Sequence, residues 1–212
     1  MSVLGLATKW GRWRETPVSL RAEGATLEAL DATGQPIWSR AFGAPFSTTP
    51  PRQELSDRSW IGDLDGDGRT EILFLAAQPV GDGAVEDTLY CFDSGGKELW
   101  SFRLQDTIKF RTRDFGPPWF MGLLAVYEVD GRKRIALSMA VQKWWPAALL
   151  TLDGQGHRLT TFVSSGLIYS LRTTQAPDIF SAIVSSRLRH WRIVWRCSSL
   201  RLRYSQVSFR RT

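Results

Sequence analysis

Residues 27–38 read LEALDATGQPIW, and residues 89–100 read LYCFDSGGKELW. A leucine, an aspartate, a glycine and a tryptophan recur at matching places, with an offset of 62 residues. A third copy, LLTLDGQGHRLT at 149–160, keeps the first three residues but has threonine in place of tryptophan. A short apolar run that ends at an aspartate, with a glycine before a second run, is typical of a β-hairpin. The three copies therefore predict an all-β repeat fold.

The repeated aspartates and tryptophans have a structural interpretation. We expect Asp31, Asp93 and Asp153 to accept hydrogen bonds from amides of their turns, because one acid at one turn position in every copy indicates architecture and not catalysis. The glycine of each turn stands where a positive φ is needed. Trp38 and Trp100 are expected to pack between neighbouring units, a core role that we favour over a ligand role.

A second repeated element lies between the hairpins. Residues 60–77 read WIGDLDGDGRTEILFLAA, and residues 131–140, GRKRIALSMA, repeat its second half. Each unit of about 60 residues thus holds a buried strand and a hairpin, as a propeller blade does. Closed propellers take roughly 4–8 blades, and residues 1–175 supply about three. We expect an incomplete β-propeller whose remaining blades are missing from this chain, or one that oligomerises or leaves its last face open.

The loop of residues 63–71 carries the most specific chemical signal. Alternating aspartates at 63, 65 and 67 direct three carboxylates toward one centre, and Ca²⁺ takes six to eight oxygen ligands. The backbone carbonyl of Arg69 and the carboxylate of Glu71 follow at the seventh and ninth positions. An EF-hand is excluded because its twelfth position requires Glu, and here it is Phe74 in an apolar run. A solvated acidic turn without metal is the alternative.

These motifs resemble two known repeat families. The loop is similar to the calcium loops of FG-GAP (VCBS-type, integrin-alpha-like) β-propeller repeats, and the hairpins resemble those of pyrroloquinoline-quinone-type propellers. The resemblance covers roughly residues 25–165. It implies calcium bound by Asp63, Asp65, Asp67, the carbonyl of Arg69 and Glu71.

The corresponding loop of the next unit is degraded relative to this pattern. Glu128 and Asp130 align with Asp65 and Asp67, but Val126 and Arg134 replace the first and last acids. We expect no metal there. The catalytic groups of the quinone enzymes have no visible counterpart, so the resemblance implies no oxidoreductase activity.

The positive charge of the chain is concentrated at one end. The net charge is +6, yet residues 176–212 hold eight Arg and one acid, which leaves residues 1–175 at −1. We therefore divide the chain into a partial propeller, residues 1–175, and an Arg/Ser-rich tail, residues 176–212, expected to be irregular or disordered. Such a tail is either a basic arm for nucleic acid or an anionic membrane surface, or the product of translation in a shifted reading frame.

Several other classes of protein are excluded or disfavoured. Cys91 and Cys197 are too few and too far apart for a disulfide framework or a zinc site. Neither His157 nor His190 accompanies a nucleophile motif, and the aromatic clusters at 116–120 and 143–146 are interpreted as buried. Lys109, Arg111 and Arg113 alternate as a solvated strand face. No export signal or membrane-spanning apolar run is evident in the sequence.

Three functional hypotheses follow. The first is a non-enzymatic, calcium-binding propeller module that interacts with a protein or a glycan, and the family resemblance favours an extracytoplasmic or cell-surface location for it. The second is a fragment of a propeller enzyme, either quinone-dependent or a polysaccharide lyase. The third is nucleic-acid binding through the basic tail. The near-neutral body with its acidic loop favours the first.

Overall fold

The fold is all-β, as predicted. The computed structural model describes residues 16–47, 54–81, 84–110, 112–141, 146–164, 167–173, 179–186, 189–196 and 203–205. In these ranges the regular structure consists of antiparallel strands and one 3-10 turn, Leu55–Asp57. No helix within them is long and apolar enough to cross a membrane.

Two sheets are built from the first half of the chain. Sheet 1 has three strands: β1 (Ser19–Glu23), β2 (Thr26–Leu30) and β3 (Pro36–Ala41). Sheet 2 has four strands: β4 (Ser59–Gly62), β5 (Glu71–Pro79), β6 (Val85–Asp93) and β7 (Glu98–Phe102). Each strand pairs with the next along the chain, so both sheets are meanders.

The second half repeats this arrangement after a two-stranded ribbon, β8 (Ile108–Phe110) and β9 (Arg113–Phe115). Sheet 3 consists of β10 (Trp119–Val129), β11 (Arg132–Val141), β12 (Ala147–Leu152) and β13 (Arg158–Ser164). Sheet 4 consists of β14 (Leu167–Thr173), β15 (Ile179–Ser186), β16 (Arg189–Arg196) and β17 (Arg203–Ser205). Among the residues described, the sheets form neither a barrel nor a closed ring.

The three predicted hairpins are confirmed as β2–β3, β6–β7 and β12–β13. In each turn the aspartate Oδ1 accepts the backbone N–H groups two and four residues later. For Asp93 these donors are Gly95 and Lys97, both at 2.9 Å. Asp31 and Asp153 repeat the pattern. The predicted structural role of the three aspartates is therefore confirmed.

Successive sheets stack face to face, because alternate side chains along a strand point to opposite faces and the facing sides of neighbouring sheets are apolar. In β5, Ile72 and Phe74 pack in a cluster with Leu27 and Ala29 of sheet 1. Their neighbours on the opposite face of β5 pack with Leu137 and other residues of sheet 3. A third cluster joins sheet 3 to Ile168 of sheet 4. Each fully buried large apolar side chain stabilises the stack by about 1.5–3 kcal/mol.

The repeated tryptophans fasten one sheet to the turn of the next. A Cβ placed on Gly96 would lie only 2.7 Å from the Trp38 ring, and one on Gly156 would lie 2.7 Å from the Trp100 ring. Each glycine has a positive φ, +84° and +82°. The indoles thus lie flat on hairpin turns that leave no room for a side chain, which confirms the predicted packing of Trp38 and Trp100 between units.

The expectation of an irregular tail differs from the structure. Strands β15, β16 and β17 fall within residues 176–212. Strand β15 pairs with β14, β16 with β15 and β17 with β16, so a sheet spans the boundary that we placed at residue 175. The physical reason lies in the sequence of the strands: IFSAIVSS in β15 and the alternating RHWRIVWR in β16 are rich in β-branched and aromatic residues. The many Arg residues make this segment positively charged, but positive charge alone does not prevent strand formation.

Candidate metal centre

The acidic loop connects two paired strands of sheet 2. Gly62 at the end of β4 pairs with Glu71 at the start of β5, so residues 63–70 form a closed loop above the pair. Carboxylate oxygens of Asp63, Asp65 and Glu71 all lie within 4.8 Å of one another. The ladder that positions Glu71 is thus also what brings it to the aspartates at the start of the loop.

Backbone amides hold the aspartates in place. The Asp63 carboxylate accepts the N–H of Gly66 at 2.7 Å and that of Gly68 at 3.1 Å, and Asp65 accepts the N–H of Asp67 at 3.1 Å. Gly66 and Gly68 both have positive φ, +87° and +81°, which turns their amides inward. The interleaved glycines therefore fold the loop around its own carboxylates.

Glu71 is the buried member of the group, with 6% of its surface exposed. Its Oε2 accepts the N–H of Leu64 at 2.7 Å. Burial raises the pKa of Glu71 above its ordinary value, the bond from Leu64 opposes this, and the charges of Asp65, Asp67 and Asp63 raise it further. A cation held by these carboxylates would offset the repulsion among them.

The Asp67 carboxylate is not part of this group of three. The Asp67 Oδ1 accepts the N–H of Arg69 at 2.7 Å, and the side chains approach to 3.8 Å. The structure thus brings together three of the four predicted carboxylates. Coordination by Asp67 and by the carbonyl of Arg69 stays a prediction.

The loop also contacts sheet 3, which the sequence did not indicate. A Cβ placed on Gly154 would lie 3.4 Å from the carbonyl oxygen of Leu64 and 3.8 Å from Asp65. The carbonyl of Gly154 accepts the indole N–H of Trp100 at 3.2 Å. The Leu64 side chain is buried in the cluster shared by sheets 2 and 3. The only sequence signal for this contact is Gly154, the first glycine of the DGQG turn.

The matching position of sheet 3 has a different connection. Strand β10 continues to Val129, β11 begins at Arg132, and the two-residue turn has positive φ at Asp130 and Gly131. Such a turn is the tight connection that suits twisted antiparallel strands. Glu128, aligned with Asp65, is exposed on the strand beside the turn. The loop has been replaced by longer strands.

Cys91 lies in the core cluster shared by sheets 2 and 3. It is fully buried and unpaired with another cysteine. Burial raises the pKa of its thiol to about 12, with further increases from the charges of Glu71, Asp65 and Asp93. A thiol with this pKa stays protonated at neutral pH.

The other sequence candidates have structural roles where the structure describes them. Trp119 of the 116–120 cluster is buried, and its indole N–H donates to the carbonyl of Asp106 at 3.1 Å. His157 lies in a hairpin turn, 3.2 Å from the Asp153 carboxylate. Lys109 and Arg113 are exposed, as predicted, but they lie on the two strands of a hairpin, β8 and β9, and not on one strand. Arg111, residues 143–145, Cys197 and the side chain of His190 lie outside the described parts.

Comparisons with known proteins identify no family. No protein-family model matches the chain, and no curated protein matches it. Among solved structures the chain is similar to one described as the crystal structure of the eukaryotic initiation factor, with 14% sequence identity and a TM-score of 0.45. The match covers 92% of this chain and 44% of that chain, so this chain spans less than half the length of that protein. A likeness at this level has no bearing on function.

Proposed function

We propose that this protein is a non-enzymatic calcium-binding module. The observation that carries the proposal is the meeting of Asp63, Asp65 and Glu71 within 4.8 Å at the start of a buried strand. Carboxylate oxygens are the ligands that hard cations prefer, and the exposed side of the loop leaves room for carbonyls and water. Calcium fits this donor set better than a soft metal because no sulfur or imidazole is in the group.

We further propose that the sheets are blades of an incomplete β-propeller. The same strand order in sheets 2, 3 and 4, their stacking in chain order, and the two indole contacts support this architecture. Residues at the blade ends then serve as the surface for a protein or glycan partner. A module of this kind suits an extracytoplasmic setting, where weak sites with Kd of about 10⁻⁴–10⁻³ M fill with calcium.

The calcium proposal is tested by thermal unfolding of the full chain in millimolar Ca²⁺ and in chelator. We expect a higher Tm with Ca²⁺, since a ligand that binds the folded state stabilises it by about 2.7 kcal/mol at one hundred times Kd. Asp65→Ala should abolish the difference. Glu128→Ala, at the aligned position of sheet 3, is the matched control and should retain it. Identical melting curves of the wild-type protein in both conditions contradict the proposal.

A further inference from the structure

The face of sheet 1 that points away from sheet 2 differs from the corresponding faces of the other sheets. In sheet 2, the face toward sheet 1 has Phe74 paired with Tyr90 across β5 and β6. In sheet 3, the face toward sheet 2 has Leu137 paired with Leu150 across β11 and β12. We call the contact between two stacked sheets a joint. The joint between sheets 1 and 2 and the joint between sheets 2 and 3 each contain an apolar cross-strand pair.

In sheet 1 the same place in the repeat is charged. Arg21 of β1 pairs with Glu28 of β2, and the hairpin offset of 62 residues puts Glu28 in the position of Tyr90. The Arg21 guanidinium bonds the Glu28 carboxylate; the Arg21 side chain is 53% exposed and the Glu28 side chain is 25% exposed. Ser19 and Glu23, which flank Arg21 on this face, are exposed as well.

A second sheet laid over this face would have to cover those charges. Removing an ion pair from water costs several kcal/mol per ion, which the attraction within the pair seldom repays. Stacking on an apolar row instead gains free energy in proportion to the apolar surface removed from water. The same pair left in water carries almost no cost. The energetics therefore favour a hydrated face here and a stacked face at the other joints.

We propose that the outer face of sheet 1 is a polar cap, so the incomplete propeller stays open at sheet 1 and does not close into a ring through this face. Terminal repeats of linear repeat proteins have such polar outer faces, because nothing packs on them. This inference is independent of the cation.

Carboxylate labelling of the native full chain tests the cap directly. With a water-soluble carbodiimide and an amine, followed by mass spectrometry, Glu23 should react as fast as exposed Glu128. Buried Glu71 should react only after unfolding, which calibrates the measurement. Protection of Glu23 to the level of Glu71 overturns the proposal.

A pair of variants tests the same face through its chemistry. R21F/E28Y gives sheet 1 the aromatic row of sheet 2, and its sedimentation mass should rise with concentration because an apolar face is newly exposed. R21Q/E28Q keeps the face polar and should keep the wild-type mass. An aromatic variant with unchanged mass and a raised Tm shows that another sheet already covers the face, and it contradicts the cap. If the aromatic variant does not fold, the labelling result decides.

Discussion

The same indole contact joins sheet 1 to sheet 2 and sheet 2 to sheet 3. The hydrogen bonding of the indole N–H differs between the two joints. Trp38 lies on Gly96 without a hydrogen-bond partner for its indole N–H among the described residues. Trp100 lies on Gly156 and donates its N–H to Gly154. The shape of the contact is thus repeated, while its polar bonds are particular to each joint.

The groups that surround the two indole contacts differ as well. At the first joint, Arg40 lies over the Phe92 ring at 4.9 Å and bonds Glu98 at 2.6 Å. At the second joint, the acidic loop lies against the turn that seats the indole. The first joint is therefore held by a cation–π contact and an ion pair, and the second is next to the candidate cation site.

The largest effect is expected from adding a methyl group beneath an indole. Gly156→Ala should lower the free energy of unfolding by about 2–4 kcal/mol, because positive φ strains alanine and the new Cβ overlaps the Trp100 ring. Gly34→Ala is the matched control: φ is also +82°, but no described atom lies within 4 Å of its Cβ position.

Chemical denaturation of both alanine variants measures the difference. The Gly34 variant should lose only the backbone part, about 1–2 kcal/mol. Equal losses in the two variants would show that the indole contact contributes nothing to the second joint.

A smaller effect on stability is expected from removing the indole N–H at each joint. Trp100→Phe should cost about 1 kcal/mol more than Trp38→Phe, because only the first substitution leaves a carbonyl without its indole donor. Both variants shorten the same ring by the same atoms, so each serves as the control for the other. Urea unfolding curves measure the difference, and a greater loss for Trp38→Phe would contradict it.

The smallest effect concerns pH and only the second joint. Because the pKa of Glu71 is raised in the folded protein, its contribution to stability is present below its ordinary value of 4.5 and is lost as pH rises through the folded pKa. Glu71→Gln should remove this loss and raise the metal-free stability at neutral pH, by less than the difference between the two tryptophan variants.

Amide hydrogen exchange in chelator at several pH values measures where that loss falls. In the wild-type protein the turn at 153–156 should exchange faster as pH rises than the intrinsic rate explains, and the turn at 93–96 should not. A pH response of both turns, or one that persists in Glu71→Gln, would break the distinction between the joints.

How much of this was predictable depends on the range of the contacts. The hairpin turns were predictable because Asp93 bonds amides only two and four residues away. The acidic cluster was predictable for the same reason, since its loop is one short segment. The contact of Leu64 with Gly154 joins distant parts of the chain and leaves no periodic pattern in the sequence.

The strands beyond residue 175 were missed for another reason. The high Arg and Ser content of this segment predicts irregular structure, although β15 and β16 contain the β-branched and aromatic residues that strands favour. The charged row of sheet 1 was visible only after the pairing of Arg21 with Glu28 fixed which residues share a face. The residue types alone do not determine which residues pair across two neighbouring strands.

The indole contacts also imply an order of events during folding. Hairpins close in about 1–10 μs, so the turns at Gly96 and Gly156 form from neighbouring residues before distant parts of the chain meet. Each tryptophan then finds a rigid, side-chain-free surface about 60 residues further along. At Gly156, a sheet displaced by one residue in either direction would bring the indole against Gln155 or His157, which have a Cβ. We therefore expect the flat glycine turns to reject misaligned sheets and to make docking, not hairpin closure, the slow step.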